Sequence, residues 1–197
     1  MRKKKFSRDK ESKVRAIAKA TIELIGEKGP NFSVNEIPGR AGLSIGTVYR
    51  YFPRGKADIL GEILRRNIRD FLGSIKKDAS DTKSFKQMWA NVISEYVELK
   101  RDYLPLSDLL AETASQNAEL YKELSLTTLE FYKSFAQNIT KSDFCKGLSE
   151  DDLVQRVGLS FAVIQTVLRG HSRNQIFQSD DEYKNYLLKV VLAAFEH

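Results

Sequence analysis

The chain has 197 residues, 42% of them hydrophobic, with a single cysteine and two histidines. That length admits one large domain or a small domain joined to a larger one, and the apolar content argues against wholesale disorder. The net charge is +6, split between residues 1–72 (17 Lys+Arg, 8 Asp+Glu) and residues 73–197 (15 and 18), a basic third on a mildly acidic remainder; charge alone leaves a polyanion-binding module and a solvated basic surface both open.

The start, MRKKKFSRDKESK, is basic with no apolar segment behind it, so it does not read as a secretory signal. Arg2-Lys3-Lys4-Lys5 reads as a disordered arm, with tracking of phosphates or the minor groove as its use in a DNA binder. Residues 12–28 carry Val14, Ile17, Ala18, Ile22 and Ile25 at helical spacing, and Gly29-Pro30 ends that helix. Ser33 and Glu36 form a capping box, with Phe32 and Ile37 as its staple, opening a short helix to about Ala41. Gly42 supplies a tight turn and Ser44 caps the next helix. Residues 33–52 therefore read helix, turn, helix, the pattern of a DNA-binding helix-turn-helix. In the second helix Ile45, Val48 and Phe52 form an inward stripe, Thr47, Arg50 and Tyr51 point outward, and Tyr49 lies on the flank. An outward face of hydroxyls, arginine and phenols suits a major groove, although half-buried packing tyrosines fit the same spacing.

A connecting helix is expected over about 57–77, then a polar connection over 78–84. Phe85, Trp89, Ile93, Tyr96 and Val97 form the next stripe, followed by a separate short helix from Tyr103 to about Ser115, with Pro105 in its first turn. Leu120, Leu124, Phe131, Phe135 and Ile139 share one face of a further helix. Ser149 opens a helix to about Arg173, and a second capping box at Ser179–Glu182 opens the last one. No strand is expected. The fold class is all-α, with about nine helices. The lone Cys145 excludes an internal disulfide and a cysteine zinc site. His171 and His197 assemble neither a metal cluster nor a Ser-His-Asp set, so no cofactor and no enzyme activity are expected. No apolar run reaches membrane-spanning length, and the protein reads as cytoplasmic.

The stretch FSVNEIPGRAGLSIGTVYRYF resembles the TetR family of transcriptional regulators, whose recognition helix follows AG-[LV]-S-x-GT-[LV]-Y-x-[YH]-F. The resemblance is close over residues 12–60 and carries no motif beyond about residue 75. It implies an N-terminal arm and helix-turn-helix domain over 1–55 and a helical effector-binding and dimerisation domain over 56–197. It also implies a homodimeric repressor on palindromic double-stranded DNA, released by a small lipophilic effector such as an acyl compound or drug. By position it implies DNA roles for Ser33, Thr47, Tyr49, Tyr51 and Lys56, with Arg40 and Arg50 at variable DNA-facing positions and Ser44 and Ile45 where base preference is tuned. Two departures stand out. Pro38 replaces the usual alanine, which starts the helix late or kinks it. Gly55 adds a residue between Phe52 and Lys56, leaving Arg54 as an alternative phosphate contact.

Effector binding in the family occurs between the later helices. The aromatic candidates are Trp89, Tyr96, Phe131, Phe135 and Phe161, each with a core role as the alternative. The polar candidates, near the middle of apolar stripes, are Glu112, Thr128, Gln165 and Arg169. The last two helices carry apolar residues on more than one face, which suits a twofold dimer with recognition helices about 34–36 Å apart for one DNA turn. The competing readings are a helical carrier or enzyme that happens to hold a helix-turn-helix, and a sequence-neutral architectural DNA binder.

Overall fold

The computed structural model describes the backbone of residues 2–81, 84–140 and 142–196, and within it the side chains of 9–74, 84–99, 105–140 and 142–196. Among the described residues there are eight α-helices, three single 3-10 turns and no strand. The helices are α1 (Arg2–Lys28), α2 (Ile37–Ala41), α3 (Ile45–Tyr51), α4 (Lys56–Asp81), α5 (Phe85–Ser115), α6 (Ala118–Ile139), α7 (Glu150–Asn174) and α8 (Asp180–Ala193). The all-α expectation holds.

Two boundaries differ from the sequence reading. α1 begins at Arg2, so the basic start is helical backbone rather than a disordered arm. The expected short helix from Tyr103 is the second half of one α5 that runs through Pro105. Proline forfeits only one backbone hydrogen bond and demands φ near −65°, which a helix already supplies. A long helix with apolar anchors on both sides absorbs that loss, and this merger accounts for eight helices where about nine were expected.

Two compact units result. The first contains residues 1–67 and 103–124, the second residues 68–102 and 125–197. They do not follow a division at residue 55, because the second half of α5 and the start of α6 pack with the helix-turn-helix. The first core gathers Ile17, Leu24, Phe32, Ile37, Val48, Phe52, Ile59, Leu60 and Ile63 with Leu106, Leu109 and Leu110. The second gathers Phe71, Trp89, Ile93, Tyr96, Phe131, Phe135, Phe161, Leu168, Tyr183 and Phe195 among others. Of the apolar residues of the last two helices, Val157, Phe161, Ile164, Leu168, Leu187 and Val191 are buried within the chain. Leu159 and Tyr186 remain exposed on the other faces of α7 and α8.

The caps follow the sequence closely. Ser149 accepts from the Asp152 amide at 3.1 Å, and Asp152 accepts in return from the Ser149 amide at 3.3 Å. Ser179 likewise accepts from the Glu182 amide, but the Glu182 carboxylate reaches the Gln178 amide at 2.9 Å, one residue earlier than a capping box prescribes. Ser149→Ala is expected to lower stability by about 1 kcal/mol, read as a shift in the thermal midpoint. The Ser149 hydroxyl, then its amide, hold the Asp152 carboxyl below its ordinary value. Asp152's contribution is therefore present above the unfolded carboxylate pKa and is lost as pH falls through the depressed folded one. The difference between wild type and Ser149→Ala should shrink on acidification.

Candidate nucleic-acid interface

The helix-turn-helix begins at Ser33, whose side chain accepts from the Asn35 amide at 3.3 Å while Glu36 accepts from the Ser33 amide at 2.7 Å. The box is formed, but residues 34–36 make a 3-10 turn and the α-helix starts at Ile37, with Pro38 in its first turn. Of the two consequences expected of Pro38, the late start is the one observed. Glu36 also takes the Lys28 ammonium, and that bond, ahead of the Ser33 amide, holds its carboxyl low. Gly42 then turns the chain with φ 66° and ψ 34°, a left-handed conformation that glycine adopts without a Cβ clash.

Ser44 caps α3 by accepting from the Thr47 amide at 3.2 Å, and its hydroxyl pairs with the Thr47 hydroxyl at 2.9 Å. Val48 is fully buried and Phe52 nearly so, as expected. Ile45 is not part of that inward stripe: it is 43% exposed, and Tyr49 is 44% exposed. Ile45 is the first residue of a two-turn helix, so its side chain leans back beyond the end of the core it was expected to join. Tyr51 departs in the opposite sense. It is half-buried against the first core, with the Arg50 guanidinium 5.0 Å from its ring centroid and donating to its hydroxyl at 3.3 Å. Ile45 and Tyr51 both lie about 60° of helix rotation from Val48, and only the Tyr51 side has neighbouring helices to pack on.

Three cations of this region are held by the protein. Arg40 makes a two-nitrogen pair with Glu27 of α1 and lies 4.0 Å from Glu23, so it faces α1. Lys56 donates to the Pro30 carbonyl at 2.9 Å and sits 4.2 Å over the Phe32 ring, and burial pulls its ammonium pKa down. Arg54 binds Asp58 at 2.6 Å, Glu119 at 3.2 Å and Glu123 at 3.0 Å. Gly55, the added residue, has φ 60°, and a Cβ there would stand 3.6 Å from Val34 and 3.7 Å from the Tyr49 ring. The insertion is thus a left-handed turn that leaves the Tyr49 ring nearby. Ser44, Ile45, Thr47, Tyr49 and Arg50 come together on the solvent side of α3, whereas Ser33 sits at the start of the preceding turn and Arg40 and Lys56 are engaged internally. The Arg54 cluster went unread in the sequence; the Arg54–Asp58 spacing of four residues was its one local signal.

The ligand candidates separate as well. Trp89, Tyr96, Phe131, Phe135 and Phe161 are all buried in the second core, and their rings are in mutual contact. Gln165 and Arg169 lie in the same unit on α7, and Thr128 is half-buried on α6. Glu112 is exposed and belongs to the first unit, where its charge acts on Lys56.

Residues 17–63, the first unit's helix-turn-helix with its flanking helices, match the family model of bacterial regulatory proteins of the tetR family. The chain's helix-turn-helix segment is that of the tetR family. The chain is 32% identical over 93 residues to the fatty acid metabolism regulator protein of Bacillus subtilis, a match spanning 47% of each chain, about half the length of that relative. It is 24% identical over 176 residues to an HTH-type transcriptional regulator of Staphylococcus aureus, covering 88% of this chain and 89% of the other. Its fold is similar to that of the transcriptional regulator FadR from Bacillus subtilis in complex with stearoyl-CoA, with TM-score 0.71, 23% identity and coverage of 93% and 99%. TetR-family regulators bind DNA and small-molecule ligands. Among the described residues, no helix of this one is long and apolar enough to cross a membrane.

Proposed function

We propose that this TetR-family regulator is a cytoplasmic repressor rather than an enzyme. It binds a palindromic operator as a homodimer and is released by a small lipophilic effector, an acyl compound before a hydrophobic drug. Residues 1–55 dock the DNA; residues 56–197 bind the effector and dimerise. The DNA half rests on the solvent face of α3, where Ile45 and Tyr49 stand exposed beside Thr47 and Arg50 above a fully buried Val48. An exposed isoleucine beside phenol and guanidinium groups suits base edges and thymine methyls in a major groove. Tyr51 contributes through its hydroxyl and Ser33 through the start of the preceding turn. Lys56 donates one of its three ammonium N–H groups to the Pro30 carbonyl and keeps two for a phosphate. The effector half is supported by the aromatic core of the second unit and by the fold shared with a FadR bound to stearoyl-CoA. The dimer is supported by Leu159 and Tyr186, exposed once the inward faces of α7 and α8 are filled. Ligand occupancy favours a dimer whose recognition helices no longer match the groove spacing, so operator affinity falls by differential binding of two states.

The test is binding to the DNA upstream of the protein's own coding region. Tyr49→Ala and Thr47→Ala should each weaken binding about tenfold, within the 1–3 kcal/mol typical of one lost specific contact, with unchanged thermal midpoints. Wild-type affinity in both variants overturns the docking face. Lys56→Ala should reduce the magnitude of the log K against log salt slope by about one.

A further inference from the structure

Ile45, Gly46, Tyr49 and Arg50 are neighbours on the solvent side of α3: Ile45 and Tyr49 stand one turn apart, as do Gly46 and Arg50. Three of the four carry large side chains and the fourth carries none. Gly46 is not among the glycines with positive φ, which are Gly29, Gly42, Gly55 and Gly147, so its backbone suits any residue. A Cβ built on it would meet nothing within 4 Å. Neither backbone conformation nor packing within the chain calls for glycine here, and glycine inside a helix is destabilising relative to alanine.

Openness alone selects nothing, because Gly26 of α1 is exposed and equally open. The surroundings of Gly46 set it apart. The long side chains beside it lean elsewhere. Arg50 lies 5.0 Å over the Tyr51 ring and donates to its hydroxyl at 3.3 Å. The Tyr49 ring edge would be 3.7 Å from a Cβ on Gly55, so it leans toward the turn that follows α3. The Ser44 and Thr47 hydroxyls pair with each other at 2.9 Å. Ile45 is exposed and belongs neither to the first core nor to the residues packed against it. The result is a shallow notch with the Gly46 backbone as its floor and the aliphatic Ile45 side chain as its free wall. Such a notch admits a small apolar group. The edges that bases present in a major groove are hydrogen-bonding groups with one apolar exception, the thymine 5-methyl.

We propose that α3 comes nearest to the floor of the major groove at Gly46, and that the notch there seats a thymine 5-methyl group against Ile45. Absence of a side chain is what lets the base edge approach the helix backbone so closely. This rests on the docking face proposed above and adds a base-specific feature of the operator, together with the two residues that read it.

Upstream DNA copied with deoxyuridine in place of thymidine loses every 5-methyl group and keeps the hydrogen-bonding edge of each A·T pair. Wild type, Gly46→Ala, Ile45→Ala and Gly26→Ala, all full-length, are measured on both DNAs. Wild type should bind the uracil DNA several-fold more weakly. Gly46→Ala, whose added methyl occupies the notch, should lose about tenfold on thymine DNA and match wild type on uracil DNA. Ile45→Ala should show a smaller uracil penalty than wild type. The same Gly46→Ala change should raise the thermal midpoint by about 1–4 °C, so that stability and operator affinity move in opposite directions. Gly26→Ala should raise the midpoint similarly and leave both affinities unchanged. The salt slope of Gly46→Ala should equal that of wild type, because no phosphate contact is lost; a slope smaller by about one would put a phosphate at Gly46 instead and overturn the proposal. Equal binding of wild type to the two DNAs also overturns it, as does wild-type affinity of Gly46→Ala for thymine DNA, or an undiminished uracil penalty in both Gly46→Ala and Ile45→Ala. In each of these cases the docking face survives if Tyr49→Ala and Thr47→Ala still weaken binding, and falls as well if they do not.

Discussion

Phe161→Ala is expected to destabilise the second unit by about 3–5 kcal/mol, the cost of deleting a buried phenylalanine from a core that closes only partly over the gap. That is a large fraction of the 5–15 kcal/mol by which a typical domain is stable. Phe161 is 1% exposed, and its ring meets those of Phe71, Trp89, Tyr96, Phe131, Tyr132 and Phe135 at centroid distances between 4.8 and 6.1 Å. Several are edge-to-face pairs, which add to the burial itself. Gly158, one turn earlier, carries no Cβ, which would stand 3.2 Å from the Tyr132 ring, so that ring lies flat beside Phe161. Phe161→Leu keeps most of the volume and should cost far less. Denaturant unfolding followed by Trp89 emission measures both. A loss below 1 kcal/mol for Phe161→Ala would mean that the site tolerates a void and holds the ring mainly for a ligand. The expected large loss makes Phe161 a core residue that a ligand displaces at a cost.

Phe161 also marks the limit of what the sequence disclosed. The sequence offered it as a ligand candidate with a core role as the alternative, and it is buried together with Ile164 and Leu168. Spacing carries no information about which rings from other helices arrive at the same place, so core and ligand roles stayed open. The helix-turn-helix was more legible, because capping and turn signals act within a few residues: Ser33, Gly42 and Ser44 do locally what their side chains or φ angles require. Ile45 and Tyr51 were misplaced because each is equally far from Val48 around the helix, and their fates depend on what packs beside α3. Arg40 faces Glu27, thirteen residues away in sequence, a pairing that no local pattern announces. Pro105 misled for a related reason. Proline is read as a boundary, whereas a long helix with apolar anchors on either side carries it through.

The least legible feature has the second largest expected effect. Replacing both Glu62 and Glu123 by glutamine is expected to cost about 2 kcal/mol, the 3–5 kcal/mol of a broken buried pair being reduced by the partial exposure of these groups. Glu62 accepts from Arg65 at 3.3 Å and from Arg66 at 2.8 Å; Arg66 in turn reaches Glu11 of α1 at 3.0 Å. Glu123 of α6 takes Arg65 of α4 and also Arg54, in the turn after the recognition helix. Either single change leaves each arginine another carboxylate: Arg65 keeps Glu123 or Glu62, and Arg54 keeps Asp58 and Glu119. The double change leaves the Arg65 guanidinium, two-thirds buried, without the two carboxylates that hold it. The two losses should therefore exceed their sum, with a coupling energy of about 1 kcal/mol in a double-mutant cycle. Additive losses would show that the pairs act independently. The same cycle bears on DNA binding, because Arg54 directly follows α3. If Glu123 and Glu119 hold that turn in the groove-compatible position, Glu123→Gln weakens operator binding several-fold at low salt. If they only neutralise Arg54, the change frees a cation, and binding strengthens with a salt slope steeper by about one. We expect the former, since Asp58 continues to pair Arg54 at 2.6 Å and accept its amide at 2.8 Å in the variant, leaving the guanidinium engaged but the turn with one tie to α6, through Glu119, in place of two.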